Sequence, residues 1–292
     1  MSALPAFATR LCDDAAVFPP GMMPLAEAVP AHAAHRAARY GGLVGPLVVA
    51  APALAQLQTL LGRDQLELAV TAPEGPGQAA AAVAASAKLP VRLRALEIAV
   101  PPELELARLP SVLREARLDT AWSDDVGAEV FLEIPRDARR DGVLAVCAER
   151  GWKAKFRTGG VRAELHPGEA ELASAVVAAV RAGVPFKATA GLHHAIRNTD
   201  PETGFEQHGF LNLLLATDAA AHGADEQRVV AVLADRDAAA VAAGVRALGE
   251  ARGMAVRELF VSFGTCSITE PIAELVALGL LPGSILSEGV SA

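Results

Sequence analysis

Residues 152–194 read WKAKFRTGGVRAELHPGEAELASAVVAAVRAGVPFKATAGLHH. Two short β-type runs, Trp152–Arg157 and Pro185–Ala190, flank a helical pattern from Glu169 to Ala182. Two strands joined through a helix lie parallel, with a right-handed crossover. Working outward, the same unit recurs along the chain. Strand patterns at Leu11–Phe18, Leu43–Ala50, Leu66–Thr71, Val91–Val100 and Ala128–Ile134 come before it, and one at Leu259–Phe263 comes after. Helical stretches alternate with them, as at Leu25–Tyr40, Gln78–Lys88, Glu103–Arg117, Asp137–Arg150 and Pro271–Leu280. Eight such alternations predict an α/β fold, a (β/α)8 TIM barrel with its helices outside a closed parallel sheet. An open doubly wound sheet is the alternative. No repeat or linker divides residues 1–292, so one domain is expected, with extra helical scaffolding at about 224–254.

Composition narrows the function classes. Of 292 residues, 52% are hydrophobic and 21% charged, which excludes disorder, and with 4% aromatics the core must be packed by small aliphatic side chains. A net charge of −8 argues against nucleic acid and anionic membrane as partners. The first residues, MSALPAFATRLCDDAAVF, lack a basic stretch leading into a long apolar run, and Pro46, Pro52, Gln56 and Gln58 interrupt the most apolar segment. No signal peptide or membrane span is expected. Cys12, Cys147 and Cys266 are too scattered for a disulfide framework or a CxxC site, which predicts a cytoplasmic protein. The expected partner is a small anionic molecule, and a homo-oligomer is compatible with all of this.

Gly, Pro and polar residues cluster after the strand patterns, on the carboxyl-terminal rim where barrel enzymes build their sites. Only four of the 26 Lys and Arg residues are lysines, and three of those lie in the two strands quoted above. With a period of two, Lys153, Lys155 and Arg157 share one face, as do Lys187 and Thr189. Ammonium groups turned into a barrel must meet carboxylates, bind an anion or lose a proton. Two close ammonium groups depress each other's pKa, and a neutral amine can attack a carbonyl to give a Schiff base. The plainer reading is a buried salt-bridge layer with Glu97 and Glu133 as partners.

The segments KAKFRTGG and FKATAGLHH resemble the sixth and seventh strands of class I aldolases of the deoxyribose-phosphate aldolase type. The resemblance implies a cofactor-free lyase in which Lys155, three residues before Thr158-Gly159, forms the Schiff base. Lys187, before Gly191, would be the second lysine and lower the pKa of the first. VSFGTCS resembles that family's phosphate-binding segment, implying an anion site at Gly264, Thr265 and Ser267. The similarity covers three short pieces. The family's fourth-strand aspartate falls on Ala99, so Glu97, Glu133 or Asp13 would move protons instead, and Leu192 replaces one of its paired glycines.

Around these lie further candidates. Arg157, Thr158 and Gly159 offer a guanidinium and backbone N–H groups suited to a phosphate or carboxylate, or else only a turn. His193 and His194, with Arg197 and Asn198 following, stand on the rim, where one histidine could polarise a substrate oxygen. They begin the longest polar connection, residues 193–209, which reads as a lid. Asp13-Asp14 could join Glu97, Glu133 and a histidine in a metal site, though no ligand-spacing motif supports it and no metal is assigned. Otherwise these aspartates cap a loop and pair with Arg157 or Lys155. Cys266 is a weak thiol candidate, and His32, His35, His166 and His222 read as solvated. Three functions fit these residues: a Schiff-base lyase acting on a small anionic carbonyl compound, phosphorylated or not; a metal-dependent barrel hydrolase, lyase or isomerase; and a non-catalytic metabolite-binding barrel.

Overall fold

In the computed structural model, which describes residues 4–62, 65–118 and 127–286, the predicted strands become β1 (Cys12–Asp14), β2 (Val44–Ala50), β3 (Leu66–Ala72), β4 (Val91–Ile98), β5 (Glu129–Glu133), β6 (Lys153–Arg157) and β7 (Phe186–Thr189). A small antiparallel pair, β8 (Asn198–Thr199) and β9 (Glu206–Gln207), precedes the last barrel strand, β10 (Phe260–Thr265). Each barrel strand is parallel to its neighbours, and β1 pairs with both β2 and β10. That closure makes the sheet a barrel and excludes the open doubly wound alternative.

Helices α1 (Leu25–Ala37), α2 (Leu54–Leu57), α3 (Pro76–Ser86), α4 (Leu109–Glu115), α5 (Arg140–Arg150) and α6 (Glu169–Arg181) follow the first strands. Three more, α7 (Phe210–Ala221), α8 (Glu226–Ala234) and α9 (Ala238–Leu259), lie between β7 and β10, and α10 (Thr269–Ala277) follows β10. Local chemistry sets several ends. Asp225 and Asp237 accept hydrogen bonds from the first backbone N–H groups of α8 and α9. Gly151 ends α5 in the left-handed conformation, with φ of 65°. The expected helix at Glu103–Arg117 is shortened to a 3-10 turn and α4, with Pro110 in the first turn of α4. The helical segment expected at 224–254 is present as two helices, the second broken at Gly249 (φ 62°, ψ −170°). No helix among the described residues is long and apolar enough to cross a membrane.

Strand alternation separates two interiors. In β6, Ala154 and Phe156 point out into the layer between sheet and helices, where Phe156, Phe186 and Phe260 are in aromatic contact. Burying a side chain of this size stabilises the fold by about 2–3 kcal/mol. Inside the barrel, Val48, Ala69, Ala95 and Phe131 form a separate small apolar cluster on the β2–β5 side. The inward positions of β1, β4, β6 and β7 carry charges instead.

Candidate functional site

Register places Lys155 opposite Lys187 on one side and Glu133 on the other. From these positions an alternating chain of charges crosses the barrel. Lys187 Nζ lies 2.5 Å from Asp13 Oδ2 and 2.5 Å from Glu97 Oε1. Lys155 Nζ lies 3.0 Å from Glu97 Oε2 and 3.1 Å from Glu133 Oε2, and Arg157 Nε donates to Glu133 Oε1 at 3.0 Å. The Lys155–Glu97 approach is an ion pair whose geometry falls short of a hydrogen bond to that oxygen. Three cations and three carboxylates therefore alternate, with no net charge. Depth changes along the chain: the Lys187 and Glu97 side chains are each 1% exposed, Lys155 is 7%, Glu133 22% and Arg157 38%. The chain is buried at Lys187 and reaches solvent at Arg157.

Neighbours fix the buried end. Ser262, which pairs with Lys187 in the sheet, donates to Asp13 Oδ2 at 2.8 Å. A Cβ at Gly45 would overlap the Asp13 carboxylate, so glycine there makes the room that Asp13 occupies. Lys187 Nζ also sits 5.3 Å from the Phe131 ring centroid, within cation–π range. Ser262 and Gly45 were not among the residues singled out from sequence. Ser262 could have been found by stepping two residues back from Gly264, whereas nothing local to Gly45 shows what faces it.

The electrostatics reverse one expectation. Two facing lysines were expected to depress each other's pKa, but Glu97 stands between them. Burial favours a neutral Lys155, yet Glu97 and Glu133 outweigh it and hold its pKa above the ordinary lysine value. Lys187 is raised the same way, with burial opposed by Asp13 and Glu97. For Glu97, burial favours the neutral acid, but Lys187 and Lys155 overcome it and bring the pKa down to about 2. Glu133 is likewise held below the usual carboxylate range, with burial outweighed by Lys155 and Arg157. Lys187, Glu97, Lys155 and Glu133 are thus each held in the charged form.

The other predicted residues divide. Thr158 Oγ1 donates to the Ala190 carbonyl at 2.6 Å. Gly159 passes so close to β7's exit that a Cβ on it would lie 2.9 Å from Gly191 Cα. These two residues tie the β6 and β7 exits together. Gly264 is buried, and a Cβ on it would make only ordinary contacts, with Thr189 Cγ2 at 3.8 Å and Ala15 Cβ at 3.9 Å. Ser267 Oγ accepts from the Glu270 N–H at 3.3 Å and so belongs to the start of α10. Thr265 Oγ1 donates to the Ser267 carbonyl. His193 Nδ1 is 3.5 Å from Cys266 Sγ; burial lowers the pKa of the histidine and raises that of the thiol. His194 Nδ1 is bonded to Glu274 at 2.6 Å, and that contact raises its pKa.

Arg197 is drawn away from the lysines. It is buried, with Nη2 at 2.7 Å from Glu169 and 3.1 Å from Glu206 and Nη1 at 3.2 Å from His208 Nδ1. His208 Nε2 donates to the Pro167 carbonyl at 2.8 Å, and Asn212 accepts from the Arg197 N–H. The connection expected to be a lid is instead pinned down as a strap. Asp13 and Asp14 also diverge. Asp13 meets Lys187, while Asp14 binds His32 Nδ1 at 2.9 Å, so neither pairs with Arg157 or Lys155 and His32 is buried rather than solvated. His166 is partly buried, with Nε2 against the Gly160 backbone.

For a metal, Asp13, Glu133, His193 and His194 would have to converge. They face Lys187, Lys155 with Arg157, Cys266 and Glu274 respectively. Among the described residues no group of three or more His, Cys, Asp or Glu side chains is arranged to hold an ion. A cavity of about 120 Å³ opens beside Arg157, between α5 and α6, with Arg136, Arg140, Ile134, Phe156 and Leu172 among its walls. No protein-family model, curated protein or solved structure matches the chain.

Proposed function

We propose that this protein is a lyase acting on a small anionic carbonyl compound through a Schiff base on Lys155. The observation that carries the reading is the position of Lys155 Nζ, 3.0 Å from Glu97 and 3.1 Å from Glu133. Glu133, the more exposed carboxylate, takes a proton from the ammonium, and the neutral amine attacks the carbonyl carbon. The protonated Glu133 returns its proton to the carbinolamine oxygen, which leaves as water with a second proton from nitrogen. Ammonium plus carbonyl gives iminium plus water, with no net proton taken up or released.

The iminium carries the same single positive charge as the ammonium it replaces, between the same two carboxylates. The site is therefore organised in advance for the cation that forms. Glu97, held ionised by Lys187 as well, supplies the fixed counter-charge. Glu133 then removes the proton of the substrate's β-hydroxyl, and the carbon–carbon bond breaks with its electron pair passing into the enamine. Carbon protonation and hydrolysis release the amine. Arg157, at the exposed end of the charge chain, holds the anionic end of the substrate in this reading.

Borohydride reduction in the presence of pyruvate, hydroxypyruvate or dihydroxyacetone phosphate tests this reading. A mass adduct is expected on Lys155 and is expected to vanish in Lys155→Met. Full activity retained by Lys155→Ala would overturn the mechanism.

A second reading, a non-catalytic barrel that binds an anionic metabolite, has its own support: each interior lysine is held charged by two carboxylates. It predicts that these compounds raise the melting temperature with no adduct on Lys155.

A further inference from the structure

Thr189 lies on β7 two residues beyond Lys187, one pleat repeat nearer the mouth, and pairs with Arg157 across the β6–β7 ladder. Its carbonyl is in use, accepting from the Thr158 N–H at 2.9 Å and from Thr158 Oγ1 at 3.3 Å. Its hydroxyl is not. Oγ1 is buried and has no hydrogen-bond partner among the described residues. A valine of the same shape would fill this position without leaving an unsatisfied polar atom, so the hydroxyl weakens the fold as it stands. Beside it, Gly264 carries no side chain, and a Cβ there would come within 3.8 Å of the Thr189 methyl, an ordinary contact. Lys155, directly opposite Lys187, is the nearest cation on the adjacent strand at the level below.

We propose that the Thr189 hydroxyl is a substrate contact that hydrogen-bonds an oxygen of the compound bound to Lys155, and that the substrate therefore carries a hydroxyl group next to its carbonyl. This rests on the Schiff-base reading and narrows its substrate class from anionic carbonyl compounds to hydroxylated ones. Sites that hydrogen-bond a substrate hydroxyl discriminate strongly against the analogue lacking it, because the protein's own polar group is then left buried and unpaired.

Hydroxypyruvate and pyruvate differ by that one hydroxyl, and their borohydride-trapped adducts on Lys155 can be quantified side by side. The wild type is expected to favour hydroxypyruvate by about tenfold, the equivalent of one good hydrogen bond. Thr189→Ser should keep the preference and Thr189→Val should bring the ratio close to one. The melting temperature of Thr189→Val should equal or exceed that of the wild type, because no protein hydrogen bond is lost. An unchanged ratio in Thr189→Val, with Lys155 trapped in both proteins, overturns this inference and leaves the Schiff base standing. A fall of several degrees in melting temperature overturns it too, because the hydroxyl would then have a structural partner. If neither of these compounds nor dihydroxyacetone phosphate labels Lys155 in the wild type, both proposals fall together.

Discussion

Lys155 and Arg197 are both buried cations, each held by two carboxylates, yet their surroundings differ in kind. Lys155 is held by side chains alone, Glu97 and Glu133, inside the barrel. Arg197 is bound into a cluster with Glu169, Glu206 and His208, which in turn grips the Pro167 carbonyl, and its own N–H is taken by Asn212. A guanidinium does not lose a proton in a protein, whereas an ammonium can. The same electrostatic pattern thus serves as a fastening at the strap and, in the proposed mechanism, as a reactive group in the barrel. In a chain that uses arginine for most of its positive charge, lysine at the interior positions is the informative choice.

Removing the charges tests this comparison most severely. Lys187→Met leaves the carboxylates of Asp13 and Glu97 buried, with Asp13 keeping only Ser262, and should cost about 3–5 kcal/mol in urea unfolding. Arg197→Met should cost clearly less, because Glu169 and Glu206 are 30% and 46% exposed and can rehydrate. Equal losses would mean that the two sites do not differ as described.

Acid should separate them next. Burial and the nearby Arg197 charge lower the His208 pKa from 6.5 to about 4. The unfolded chain therefore binds that proton before the folded one does. The stability this gives is complete above pH 6.5 and disappears as the pH falls towards 4, a difference of about 3 kcal/mol at most. Glu97 is depressed from 4.5 to about 2, so its contribution is lost only between those values. Hydrogen exchange should show residues 194–209 losing protection near pH 5 while β6 and β7 keep theirs, and His208→Gln should abolish the step. Strap protection that stays level from pH 7 to 4.5 would sink the idea.

The smallest effect lies where the two regions meet. Ala190, the first residue after β7, has φ of +61°, a conformation disfavoured for an L-residue with a side chain. Ala190→Gly should raise stability by about 0.5–1 kcal/mol, as relief of strain is partly offset by a more flexible unfolded chain. A calorimetric melting temperature below that of the wild type would show that the alanine is not strained.

The order of the strands was legible because each is a short apolar run bounded by turn residues, and the facing lysines followed from a period of two. Partner choice was not legible. Asp13 and Asp14 are neighbours in a three-residue strand, so one faces Lys187 in the barrel and the other faces His32 on α1, and only the closed barrel shows which is which. His32 read as solvated because α1 has a weakly marked apolar face, and its burial depends on a carboxylate 18 residues away. Arg197 and His194 read as rim groups, but Glu169 on α6 and Glu274 on α10 are distant in sequence, and Glu206 reaches Arg197 from β9 of the β8–β9 hairpin. The sign of the lysine pKa shift was lost for the same reason, since it depends on Glu97, two strands away from Lys155 in the sheet.

The space at Gly45 ties together three positions that lie on three different strands. Because the Asp13 carboxylate fills the place a β2 side chain would take, and Lys187 in turn depends on that carboxylate, a side chain at position 45 fits only if residue 13 is shortened, which leaves Lys187 with Glu97 alone. Substitutions at 13, 45 and 187 are therefore energetically coupled, and their separate costs do not add.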